Sequence, residues 1–185
     1  MTKTNVIAVD TGLNALGWAV WIDVVQGGRP VTPVETGVIE LKVRDRTAAW
    51  ETRASMIMDE FVCGPWTKVA RLSGVVQVLE MPEFRAGSAV GHAAAAGESL
   101  GMLYFMCGMH QQMASAWNAK TEFARVSEWK GTLPKEIVAK RIASAIGAED
   151  EQGNVIRSHA WDAVGIGLWY LGHRLNDGKK FGGKK

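Results

Sequence analysis

Asp10 closes an apolar run, Val6-Ile7-Ala8-Val9, and the pair Thr11-Gly12 turns the chain straight into a second apolar stretch, residues 15–22. Such a pattern reads as two buried strands joined by a tight glycine turn. It leaves a carboxylate at the end of a sheet strand, aimed out of the core. A charge is rarely placed there without a partner or a metal ion. Taken alone, an Asp before a glycine is ordinary turn chemistry, so the reading depends on what else the chain sets beside it.

The 185 residues suggest one domain with a core large enough to fold unaided. No apolar run approaches the ~20 residues needed to span a bilayer. Residues 1–5 lead directly into a strand without a secretory segment, so the expected setting is cytoplasmic. Cys63 and Cys107 are the only cysteines, too few for a disulfide framework or a zinc signature, and both are expected to be buried free thiols. Net charge is +2 and uneven. Residues 1–116 hold nine Lys/Arg against eleven Asp/Glu, and residues 117–185 hold twelve against eight. The basic second part ends in Lys179, Lys180, Lys184 and Lys185, which suits a polyanion partner or simply a solubilising tail.

Hydrophobic periodicity predicts strands over 5–10, 15–25, 34–42, 74–79 and 120–126. It predicts helices over 47–63, 88–113, 134–146 and 159–175, with a short helical turn at 127–130. The third of these is entered at Pro134 and closed at Gly147. The spacing of Gly97 and Gly101 in the second reads as core packing rather than a contact between copies. The order β-β-β-α-β-α-β-α-α implies an α/β fold, a mixed sheet with helices packed on it.

Glu80 ends the strand Gly74–Leu79 just before the break at Met81-Pro82. His159 and Asp162 stand three apart on the last helix and so share a face. Asp162 lies among apolar residues, where an uncompensated charge is costly. Ends of adjacent strands lie ~4.8 Å apart, so Asp10 and Glu80 can share an ion if their strands are neighbours. Two carboxylates and a third acidic or imidazole ligand suit Mg²⁺ or Mn²⁺. Two such ions ~3.5–4 Å apart activate water and stabilise the leaving oxygen in phosphodiester hydrolysis. Each residue also has a plain structural role open to it, His159 as a helix-face histidine for instance.

Three segments resemble the RuvC-type Holliday-junction resolvases of the RNase H-like superfamily. VIAVDTGLNALGWAVW is similar to the family's first hairpin with its aspartate, VVQVLEMPEF to the strand ending in its glutamate, and SHAWDAVGIGLWYL to its terminal acidic helix. AAAAGESLGMLYFMC and VSEWKGTLPKEIVAKRI extend the likeness over nearly the whole chain. It implies an RNase H-like mixed five-stranded sheet flanked by helices over residues 1–176, followed by a basic tail at 177–185. It further implies a homodimer that binds a four-way DNA junction and nicks two symmetric strands, leaving 5′-phosphate and 3′-hydroxyl ends. Asp10, Glu80, His159 and Asp162 would form the catalytic and metal site, with His159 where many members have aspartate. Lys130 and Lys135 match phosphate-binding lysines, Phe84 matches an aromatic wedge, and Arg85 is placed to meet a phosphate. Without the resemblance, the two lysines read as a solvated loop and Phe84 as a residue packed on the core. The long turn at 25–34, the shortened loop between Lys130 and Lys135 and the lysine-rich tail are departures that bacteriophage members show.

Two other readings share part of this pattern. A different RNase H-like nuclease, acting on hybrids or branched DNA generally, would carry the same acidic site. Sugar-kinase and actin-like ATPases open with a similar strand, aspartate and glycine turn. Their second phosphate loop and glycine-rich adenosine loop find no counterpart in this chain. A non-catalytic junction-binding protein would be expected to lose one of the acidic positions, and Asp10, Glu80 and Asp162 are all present.

Overall fold

A computed structural model describes residues 3–82, 93–146, 158–173 and 175. Strand β1 (Lys3–Thr11) and strand β2 (Ala15–Val25) form an antiparallel hairpin, closed where the Gly12 amide donates to the Ala15 carbonyl at 2.9 Å. Strand β3 (Glu35–Glu40) continues the meander beside β2. Strands β4 (Val75–Met81) and β5 (Lys120–Arg125) join in parallel, giving the order β3-β2-β1-β4-β5. The mixed five-stranded sheet expected from the sequence is therefore present, with β1 and β4 at its centre.

Side chains alternate across a strand, so each strand feeds two cores. Ile7 and Val9 of β1, with Val75 and Leu79 of β4, pack against helices α1 (Trp50–Cys63) and α2 (Ala93–Ala116). Val6 and Ala8, with Val76 and Val78, pack on the other face. That face is covered by the short α3 (Val126–Trp129), by α4 (Lys135–Ile146) and by α5 (Ser158–Tyr170). Continuing the alternation sends Asp10 and Glu80 to the α5 face. Val9 pairs with Leu79, so the two carboxylates follow one another across neighbouring strands.

Helix α5 lies on β1 and β2 at backbone contact. A Cβ added to Gly17 would stand 1.9 Å from the His159 carbonyl oxygen, and one added to Gly167 would stand 2.2 Å from the Trp21 ring. Only glycine allows the helix to sit this low. The helix stops at Tyr170, short of the expected Leu175. Gly172 takes φ +97°, and its amide and that of His173 turn back to the carbonyls of Trp169 and Leu168. Such a glycine cap ends a helix whatever the apolar pattern beyond it. Leu171 and Leu175 stay buried in the core without being helical.

Other boundaries moved for local reasons. Residues 43–47 form a separate 3-10 turn, and α1 begins only at Trp50. Cys107 is buried as expected, whereas Cys63 is exposed, being the last residue of α1 before Gly64-Pro65 turns the chain. Helix α2 is half-buried rather than enclosed. Met102, Met106 and Ala114 enter the core, while Tyr104 and Phe105 face outward. Among the described residues nothing lies near the Cβ positions of the exposed Gly97 and Gly101, so their spacing serves no core packing there. The proposed helix start at Ser88, the Gly147 cap and the lysine-rich tail lie outside the described residues. Among those described, no helix is long and apolar enough to cross a membrane.

The Gly17 contact yields a direct test. Gly17→Ala is expected to cost roughly 1–3 kcal/mol or more of stability, measured by urea unfolding, because backbone must yield to the new methyl. An unchanged midpoint would mean that α5 is not seated as described.

Candidate metal centre

Three elements deliver the four predicted residues to one end of the sheet. Asp10 comes from β1, Glu80 from β4, and His159 and Asp162 from the first turns of α5. The low seat of α5 over Gly17 is what carries His159 to Asp10. Its Nδ1 donates to Asp10 Oδ2 at 2.6 Å, a short charge-assisted hydrogen bond. Asp10 is only 6% exposed. Glu80 is largely buried, and its Oε2 has no hydrogen-bond partner among the described residues.

The carboxylates act on one another. Burial, then the charges of Asp10 and Asp162, push the Glu80 carboxyl up from 4.5 to about 8, against the opposing ammonium of Lys130. Asp162 is also raised, first by burial and then by Asp10, with Lys130, Lys135 and His159 opposing. His159 is raised chiefly by its hydrogen bond to Asp10, with the charges of Asp10 and Asp162 adding to the effect. The site is a pocket of crowded negative charge with too few positive partners, and in such a site pKa values move furthest.

The two lysines expected on DNA phosphates part company. Lys135 starts α4 on the surface, near enough to His159 and Asp162 to affect both. Lys130 instead turns inward. Its Nζ lies 3.7 Å from Asp162 Oδ1 and 4.7 Å from the centre of the Trp129 ring. Phe84 and Arg85 lie outside the described residues.

Two neighbours of the site, Trp129 and Cys107, were not placed there from the sequence. Trp129 is fully buried beside Glu80; its indole N–H lowers the Glu80 carboxyl although it makes no well-formed hydrogen bond among the described residues. Cys107 on α2 donates its thiol to the Glu80 carbonyl at 3.8 Å. Burial holds that thiol at about 11, so it stays protonated as a donor. Deeper, Gln77 Nε2 meets His110 Nδ1 at 2.8 Å inside the apolar core. The interruption of Val-Val-Gln-Val-Leu by a glutamine was the available signal for that pair.

Among the described residues, no three His, Cys, Asp or Glu side chains are already gathered as a metal cage. Asp10 is closed by His159, and Asp162 is faced by Lys130. The donor set nevertheless fits a hard divalent cation: three carboxylates, of which Asp10 and Asp162 raise Glu80 and Asp10 raises Asp162, with one buried oxygen lacking a partner among the described residues. A cation among them would relieve both the repulsion and the orphaned oxygen.

No protein-family model and no curated protein sequence matches the chain. Solved structures do. RuvC of Thermus thermophilus is 18% identical, with a TM-score of 0.54 over 93% of this chain and 94% of that one. The T. thermophilus RuvC in complex with a Holliday junction substrate is 19% identical, with a TM-score of 0.56 over the same shares. The chain thus has the α/β, RNase H-like fold of RuvC, from the first strand through the terminal helix.

The raised Glu80 carboxyl has a consequence for stability. The folded chain keeps a proton that the unfolded chain releases, so stability falls as pH rises from 4.5 toward about 8. Calorimetry in the presence of chelator should show Glu80→Gln raising the melting temperature at pH ~8, at roughly 2–4 °C per kcal/mol relieved. Near pH ~4, where both states are protonated, the gain should vanish. An equal effect at both values would remove the repulsion from the account.

Proposed function

We propose that this chain is a metal-dependent, structure-selective DNA endonuclease that resolves four-way junctions by paired symmetric nicks, acting as a homodimer. The observation that carries the reading is the convergence of Asp10, Glu80, Asp162 and His159 at one end of the sheet, in the fold of a protein solved on a Holliday junction.

In this reading Asp10, Glu80 and Asp162 hold divalent ions, Mg²⁺ or Mn²⁺. When bound, the ions supply Lewis-acid activation of water and neutralise charge at the scissile phosphate. The buried walls around the carboxylates keep the local dielectric low and so strengthen every interaction inside. His159 has Nδ1 tied to Asp10 and leaves Nε2 for a ligand or a proton. A carboxylate that fixes one ring nitrogen orients the other and stabilises the imidazolium, so His159 can take the proton of the attacking water. Lys135 sits at the rim, where a DNA phosphate would pass. Phe84 adds a junction contact on the strength of the sequence likeness, and Arg85 beside it and the lysine-rich tail add backbone contacts by their charge.

The outward face of α2 is assigned to the second copy. It combines the open Gly97 and Gly101 with exposed Tyr104 and Phe105, the latter packed edge-on to Trp50 with centroids 5.3 Å apart. An apolar aromatic strip on a helix is the kind of surface that a homodimer buries.

The deciding experiment is cleavage of a labelled immobile junction with Mg²⁺ or Mn²⁺, alongside duplex, fork and flap DNA. Paired symmetric nicks confined to the junction support the proposal. Equal cutting of forks and flaps moves the function to general branch processing. Tight binding without cleavage makes the chain a scaffold.

Asp10→Asn and Glu80→Gln should each cut activity below roughly a thousandth of wild type, about 4 kcal/mol of barrier stabilisation, while junction binding persists. Affinity should fall steeply with salt. Activity should rise between pH ~6 and ~8, because each cited shift is upward and each group works in its deprotonated form. Bound ions pull the carboxyls down, placing the rise at or below the Glu80 value of about 8.

A further inference from the structure

The position of Lys130 is unusual for a lysine expected on a DNA backbone. Its side chain is 16% exposed and that of its partner Asp162 is 13% exposed. At 3.7 Å the ammonium and the carboxylate form an ion pair too long for a good hydrogen bond. The same ammonium lies over the Trp129 indole at 4.7 Å, a cation–π distance. It also pulls Glu80 down, so it serves two of the three carboxylates. The indole beneath it flanks Glu80 as well.

We propose that Lys130 is the internal counter-cation of the acidic centre and exchanges with the divalent ion. Before the ion binds, the ammonium neutralises Asp162 from its seat on Trp129. When the ion takes the carboxylates, the ammonium is repelled and leaves the indole. The exchange is physically easy for three reasons. The ion pair is long, with no strong hydrogen bond to break. A lysine carries its charge as a point on a flexible four-carbon stem. Lys130 also stands at the end of α3, just before Gly131 with φ +59°, where the chain turns away. The released ammonium then lies beside the site with its charge unspent, on the side of Lys135. Lys130 is thus a positioning residue: it keeps the carboxylates from repelling the fold apart and sets how tightly the ion is held.

This inference rests on the metal-dependent reading above, and its test separates the two. Magnesium alone, without DNA, is titrated by calorimetry into the full chain, into Lys130→Met and Lys130→Gln, and into Asp10→Asn as a control for site binding. The same titrations are followed by fluorine NMR of protein carrying 6-fluorotryptophan. Loss of the ammonium should tighten Mg²⁺ binding by about tenfold or more, since a competing charge within a few ångströms is gone. Lys130→Arg keeps the charge and should return the affinity close to wild type. A tryptophan resonance displaced by Lys130→Met should be displaced the same way by Mg²⁺ in wild type, and should stay still when Mg²⁺ is added to Lys130→Met. A purely structural lysine would not produce that pattern. Equal affinities in wild type and both neutral variants, or saturation of wild type without movement of that resonance, would overturn the exchange. Either result leaves the metal site standing, provided that Asp10→Asn still abolishes binding. Absence of Mg²⁺ binding in wild type and in the neutral variants would overturn the exchange as well, and the junction-cleavage assay then decides the parent reading by itself.

Discussion

Three carboxylates lie within one another's electrostatic reach at the end of the two central strands, and the surrounding structure is arranged to tolerate that. Burial alone raises Glu80, and Asp10 and Asp162 raise it further. Two side chains from different elements answer them, the imidazole of His159 on Asp10 and the ammonium of Lys130 on Asp162. Neither pairing is local in the chain. His159 stands 149 residues from Asp10, and Lys130 reaches Asp162 from a separate helix. The acidic centre therefore exists only when β1, β4, α3 and α5 are all docked. Folding and site assembly are one event in this molecule.

The seat of α5 makes that docking geometrically strict. Gly17 removes the side chain that would hold the helix off the sheet, and Gly167 does the same against Trp21. Lifting the helix by one methyl group would move His159 and Asp162 together. On the opposite face, α2 is anchored differently. His110 and Gln77 join inside the apolar core, and burial holds the imidazole neutral, down at about 3. An unfolded chain would take up that proton below its ordinary value of 6.5, so this group withdraws stability as pH falls from 6.5 toward 3. Glu80 withdraws it in the other direction, as pH rises from 4.5 toward about 8. The two opposed gradients leave a mildly acidic window in which both costs are partial.

Much of the fold could be read from periodicity. The alternation that defines β1, β2 and β4 is strong because both faces of these strands are buried, while the strand order β3-β2-β1-β4-β5 came only with the structure. Where boundaries slipped, short-range chemistry overrode the apolar pattern, as when Gly172 ended α5 while Leu171 and Leu175 still looked helical. The spacing of Gly97 and Gly101 read as core packing because the composition of α2 is apolar throughout. Composition does not say which side meets the sheet, and Tyr104 and Phe105 turned out to face outward. The acidic residues were legible for the opposite reason. A carboxylate among apolar residues is costly wherever the chain goes, so Asp10, Glu80 and Asp162 stood out individually.

By itself, then, the sequence determined the strands, the helices and the identity of the groups that pay the highest desolvation cost. Those properties are set by each residue and its near neighbours. The tertiary structure alone decided which charges answer which. It took Lys130 from an apparent surface loop and placed it against Asp162 and Trp129, and it set Trp129 and Cys107 beside Glu80. Electrostatic energy depends on distance through space and on local dielectric, and neither quantity is written in the spacing of residues along the chain.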